Sequence, residues 1–183
     1  MGFKAIGRTI TGWVGGFSDL DTEVRQMFYV AKEVRLKAQA EFSHYLVGVA
    51  VRSERTGNVY RGCNVERASY TQTTHGEQNA VDSMVSYEGK GAKLSDLVLL
   101  AGPENRNIIL PPVVKKREIC ELKFTDISSP CGHCLQIIWE NCLGDGGVRI
   151  YGMMPTGEVT IVTMDNAFPL KFGPADLGVT YGE

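Results

Sequence analysis

Two short runs, far apart in the chain, constrain the fold before any element is assigned. Residues 74–81 read THGEQNAV, and residues 129–134 read SPCGHC. Each opens a segment with helical spacing, so His75, Cys131 and Cys134 stand at the starts of two helices. Neither run is decisive alone. His75 and Glu77 can be a surface pair, and a first-turn glutamate is favoured by the helix dipole in any case. A Cys-x-x-Cys pair serves as a redox couple, as half a zinc site or as two buried thiols. Together the runs are more specific. Two thiolates and one imidazole make three ligands, and a tetrahedral zinc ion with three protein ligands keeps one position open for water. A chain that uses all three must bring two helix N-termini to one point.

That placement has its own chemistry. The partial positive charge of a helix N-terminus favours the thiolate form that zinc requires. Zinc at +2, two thiolates and a neutral imidazole sum to zero. One residue separates Glu77 from His75, so its carboxylate can approach a water at the open position without ligating the metal, take its proton and pass it on. His133, flanked by both cysteines, would have to fold back to act as a fourth ligand.

The rest of the chain limits the alternatives. With 183 residues, 43% hydrophobic and 22% charged, the sequence suits one soluble domain with a single core. A net charge of -2 argues against a nucleic-acid surface. The dense basic run Lys115-Lys116-Arg117 reads as a solvated loop. No apolar stretch is long enough to span a membrane, and the N-terminus does not read as a secretory signal. Residues 1–18, rich in glycine, are expected to be a flexible extension before one catalytic domain at 19–183. Five cysteines at irregular spacing make a poor disulfide framework and fit a reducing, cytoplasmic compartment.

Helical spacing of Leu20, Val24, Met27, Ala31, Val34 and Ala38 predicts a first helix. Strands at about 47–53 and 58–63 flank the turn Thr56-Gly57-Asn58. A helix at 76–87 ends before Gly89 and Gly91, and the apolar run at 96–102 suits a strand covered on both faces. Residues 103–128 are interrupted by Pro111-Pro112 and read as a long loop, of a kind that usually serves function. A helix at 131–142, two further strands and a turn-rich tail complete the chain. The order predicts an α/β fold: a three-layer α/β/α sandwich with a mixed five-stranded sheet.

His-x-Glu followed later by Pro-Cys-x-x-Cys is the zinc-deaminase signature. The blocks FSHYLVGVAV, GCNVERASY, THGEQNAV, SPCGHC and KFGPADL together resemble the cytidine deaminases over about residues 20–178. The resemblance implies one Zn2+ per subunit held by His75, Cys131 and Cys134, with Glu77 as the catalytic proton shuttle. It implies hydrolysis of cytidine or deoxycytidine at C4 of the pyrimidine, a pyrimidine salvage reaction that yields uridine or deoxyuridine and ammonia. Asn64 and Glu66 match the pair that bonds ribose, and Ala68 and Tyr70 match further nucleoside contacts. Tyr45 stands where the family has phenylalanine beside the pyrimidine. The Ser129 carbonyl and Pro130 stand where the leaving amine is held. Phe172 matches an aromatic that reaches a neighbouring subunit's base in homotetrameric relatives. For Tyr45, Tyr70 and Phe172 the competing reading is ordinary packing. Implied partners are a small pyrimidine nucleoside and further copies of the chain, a tetramer or a dimer, with no nucleic acid and no membrane.

The departures bear on substrate choice. Short relatives have cysteine at His75 and arginine at Gln78, whereas longer two-domain relatives resemble this chain there. Leu46 replaces a usual proline. Gly76 replaces an alanine, which is expected to loosen packing behind the zinc. The long segment 103–128 is expected to border the pocket. Blasticidin S and N4-substituted cytidines are therefore alternative substrates. A polynucleotide-editing deaminase, a non-catalytic zinc-stabilised assembly subunit and a Cys131–Cys134 redox protein are the competing functions. The chain's acidity and the Asn64–Glu66 pair argue against the first and Glu77 against the second; stoichiometric zinc in the purified protein would separate the third from the others. Cys63 beside the ribose motif reads as a packed residue; roles for Cys120 and Cys142 are not assigned.

Overall fold

The computed structural model describes residues 4–5, 7–112 and 127–179. Their elements are β1 (Trp13–Gly15), α1 (Thr22–Arg35), β2 (Tyr45–Ser53), β3 (Val59–Cys63), α2 (Gly76–Glu88), β4 (Leu94–Pro103), α3 (Gly132–Glu140), β5 (Arg149–Met153), β6 (Val159–Thr163) and a single turn, α4 (Met164–Ala167). The strands form one sheet in the order β1-β6-β5-β4-β2-β3. Among the described residues β4 and β5 run parallel and the other neighbouring pairs are antiparallel.

Strand alternation divides the core into two layers. Val49 and Val51 of β2, Leu97 and Leu99 of β4 and Ile150 of β5 pack with Ala80, Val81 and Met84 of α2 and Leu135 and Ile138 of α3. The intervening Ala50, Val98, Leu100 and Tyr151 pack on the other face with Val24, Met27, Phe28 and Ala31 of α1. The expected three-layer sandwich is therefore observed. Met27 and Phe28 are fully enclosed, and each such side chain contributes roughly 1.5–3 kcal/mol of burial free energy. Two glycines set the helices this close. A Cβ on Gly48 would lie 2.1 Å from the Ala31 carbonyl of α1, and one on Gly62 2.3 Å from the Ala80 nitrogen of α2.

The expected five strands are corrected to six. The added strand, β1, comes from the stretch expected to be a flexible extension, and it pairs with β6 through Trp13↔Ile161, Val14↔Thr160 and Gly15↔Val159. It is three residues long and its residues are exposed, so it carries no burial alternation. Its formation depends on the edge β6 offers. Phe17, just beyond, is buried against Phe28 with ring centroids 5.5 Å apart.

Buried polar groups brace both ends of β2. At its far end Asp96, fully buried, accepts from Arg52 (Nε, 3.1 Å), Arg149 (Nε, 2.9 Å) and the Ser95 hydroxyl (2.8 Å). These contacts tie β2, β4 and β5 together. At the near end Arg35, buried on the last turn of α1, donates to the carbonyls of Leu46 (3.2 Å), Gly102 (2.9 Å) and Pro103 (2.8 Å). This is the end of β2 that meets the site. The run Lys115-Lys116-Arg117, Cys120 and most of the 103–128 segment lie outside the described residues.

Candidate metal centre and adjoining cavity

The two sequence runs converge. His75 is the N-cap residue of α2 and Cys131 that of α3, and neither side chain makes a capping hydrogen bond. Their carbonyls begin the helices instead, accepting from Asn79 N and Leu135 N, both at 2.9 Å. Glu77 and Cys134 follow in the first turns. The His75 Nδ1 lies 3.5 Å from Cys131 Sγ and 3.3 Å from Cys134 Sγ. The three donor atoms lie within 4.8 Å of one another.

This donor set fits zinc. Zn–S and Zn–N bonds at a tetrahedral angle separate nitrogen from sulfur by about 3.6 Å, close to the spacing found. One imidazole and two sulfurs leave one position open. His133 is exposed, with its ring centroid 5.3 Å from that of His75, and it is not among the three grouped donors.

Beside the donors is a cavity of ≈ 250 Å³ lined by Ser43, Tyr45, Val47, Asn64, Glu66, Thr73, His75, Gly76 and Glu77. The loop after β3 builds one wall. Val65 and Thr74 exchange backbone hydrogen bonds at 2.9 and 3.0 Å, closing residues 66–73 into a loop that returns the chain to His75. Glu77 is 5% exposed, and its carboxylate, after burial itself, helps hold the buried Cys134 thiol above its ordinary pKa. Asn64 Oδ1 accepts from Val47 N (2.8 Å) and its amide donates to the Tyr45 carbonyl (2.9 Å). Burial pushes the Glu66 carboxyl up, but the Ser43 hydroxyl and the amides of Ser43 and Phe42 outweigh it and hold the group below the usual carboxylate range.

Of the residues singled out by sequence, Tyr45, Asn64, Glu66, His75 and Glu77 share this cavity, and Cys131 and Cys134 meet His75. Ala68, Tyr70, Ser129 and Phe172 do not line it. Tyr70 is 68% exposed and stacks on Phe42 at 5.7 Å, and Ser129 is exposed just ahead of buried Pro130. Phe172 is also exposed, its carbonyl held by Gln136 of α3 at 3.0 Å. Ser43, Val47 and Thr73 were missed. The only hint of Ser43 is its place two residues before Tyr45. The slack expected behind Gly76 is absent: a Cβ there would lie 2.9 Å from Val47 Cγ1, because Val47 and Val49 already fill the space.

Comparison with known proteins agrees with this geometry. Residues 21–145 match the family model for the cytidine and deoxycytidylate deaminase zinc-binding region. A cytidine deaminase of Sporosarcina psychrophila is 28% identical over 155 residues, covering 85% of this chain and 95% of that protein. One of Photobacterium profundum is 31% identical over 146 residues, 77% of this chain but 37% of the longer relative. The fold matches solved cytidine deaminases of Burkholderia pseudomallei (TM-score 0.59, 23% identity, 80% of this chain and 97% of that one) and Mycobacterium leprae (0.58, 24%, 81% and 99%).

Proposed function

The chain belongs to the cytidine and deoxycytidylate deaminase zinc-binding family, and from that premise we propose that it hydrolyses cytidine and deoxycytidine to uridine and deoxyuridine, releasing ammonia. One observation carries the reading. A buried carboxylate, Glu77, lines the same cavity as His75 of the donor triad and as the sugar-type partners Asn64 and Glu66.

His75, Cys131 and Cys134 would hold the metal. Zinc, when bound, supplies a Lewis acid that makes water nucleophilic at neutral pH. The remaining roles fall to side chains. Glu77 takes one proton from the attacking water and delivers it to N3 of the pyrimidine, then takes the second from the hydroxyl added at C4 and delivers it to the departing amine, so that water is consumed and ammonia leaves. Asn64 and Glu66 bind sugar hydroxyls, and Tyr45 lies along the base. The Ser129 carbonyl and Pro130, which lead directly into Cys131, hold the departing amine. Ala68 and Tyr70, on the loop that returns the chain to His75, add nucleoside contacts. Phe172, exposed on the C-terminal stretch, serves a neighbouring copy's cavity in a homo-oligomer.

A second substrate, an N4-substituted or antibiotic cytosine nucleoside such as blasticidin S, is favoured by one feature. The long 103–128 segment departs from Pro103, the direct strand partner of the cavity residue Tyr45. Ammonia release from cytidine, deoxycytidine, cytosine, CMP, N4-methylcytidine (methylamine in that case) and blasticidin S separates the readings. The proposal expects turnover of the nucleosides, reduced at least a thousandfold by Glu77→Ala. Zinc-loaded protein that turns over none of them would refute it.

A further inference from the structure

The turn before β2 wraps one carboxylate of the cavity. Glu66 is 8% exposed. Its Oε2 accepts from the backbone amides of Phe42 and Ser43, each at 3.0 Å, and its Oε1 accepts from the Ser43 hydroxyl. The same Ser43 oxygen accepts from Tyr45 N at 3.1 Å. His44, between them, has φ 53, which folds the chain back so that Ser43 and Tyr45 both reach the cavity.

A carboxylate offers about four acceptor directions. Three are taken by Phe42 and Ser43, so one, on Oε1, is left for substrate. A hydroxyl has one proton, and Ser43 gives it to Glu66, so Ser43 donates nothing to a ligand. Its chemistry is to stop the carboxylate from rotating and to lock it to the backbone of Tyr45. We propose that Ser43 is a positioning residue for the substrate's sugar: it holds Glu66 with a single acceptor direction open to a sugar hydroxyl. The inference rests on the nucleoside reading and deepens it, because sugar affinity is then set by a residue that does not touch the sugar.

The test is steady-state kinetics on cytidine with the zinc-loaded protein and its Ser43→Ala, Ser43→Thr, Glu66→Ala and Ser43→Ala/Glu66→Ala variants. A charge-assisted hydrogen bond that is only misplaced predicts a KM about tenfold higher in Ser43→Ala, with kcat changed less than about twofold. Ser43→Thr, which keeps the hydroxyl, restores KM to within about threefold of the original. In the Glu66→Ala background the alanine change at Ser43 moves KM less than about twofold, since the group it positions is gone. If Ser43→Ala does not fold, Ser43→Cys, similar in size and a poor donor, takes its place with the same expectation. An unchanged KM, a fall in kcat alone, or an equal loss with and without Glu66 would overturn the proposal. Failure of the unaltered protein to convert cytidine would instead bring down the nucleoside reading, and the Ser43 role with it.

Discussion

The Cys134 thiol is fully buried, and burial, the Glu77 carboxylate and the neighbouring Cys131 all push its pKa up. Zinc takes the thiolate, so loading must expel this proton. The sign follows directly. Raising the pH removes the competing proton and strengthens binding, and lowering it weakens binding by about tenfold per unit for each proton displaced. Calorimetric zinc titrations in two buffers of different ionisation enthalpy should show at least one proton released per zinc near neutral pH, and Cys134→Ser should reduce zinc stoichiometry well below one. Uptake without proton release would mean that Cys134 is not a ligand. At this scale the sequence was informative where function is carried by chain position: His75, Glu77, Cys131 and Cys134 lie at helix caps and first turns. It was silent on Ser43, whose role exists only because residues 42–43 fold onto Glu66 in the loop after β3. It misled at Gly76, because a missing methyl is compensated by the γ-methyl of a residue on β2.

The elements gather at two ends of β2, one chemical and one structural. At the structural end Asp96 is the shared counter-ion of Arg52 and Arg149, whose side chains are 23% and 46% exposed. Removing its charge strands two guanidinium groups, but their partial exposure lets water recover some of the loss. Asp96→Asn is therefore expected to cost about 2–3 kcal/mol, below the value for a fully enclosed pair. Urea unfolding midpoints check this, with kcat/KM retained because the change lies at the opposite end of β2 from Tyr45. The helix and strand order was legible because β2 and β4 alternate between two buried faces and α1 carries an apolar stripe. β1 was not, since a three-residue edge strand has no period of its own. Nor was Arg35 recognisable as a brace, because a helix-terminal arginine ordinarily points to water.

On the scale of the molecule, the cavity draws on the turn before β2, the start of β2, the end of β3 with its following loop, and the cap of α2, with α3 closing the donor set. Such a site exists only where the sheet holds these segments together. The C-terminal stretch keeps apolar residues on the surface: Leu170 is 90% exposed, Phe172 58% and Leu177 69%. The proposed homo-oligomer gives these residues cover. Sedimentation at micromolar concentration should return a mass that is a multiple of 20.1 kDa, and Phe172→Asp should shift it toward one subunit while lowering turnover. A monomer with full activity would rule out a shared site.

His75 and Cys131 occupy positions where serine, threonine, aspartate or asparagine would normally secure the first turn of a helix, a contribution of about 1 kcal/mol each. Both leave that duty undone to face each other. The opening turns of α2 and α3 are thus set to be the first to exchange their amide hydrogens when the metal is withheld, while the sheet behind them keeps its protection. At these two helix starts the ion, when bound, would stand in for the missing caps, so that one group serves both the chemistry and the local rigidity.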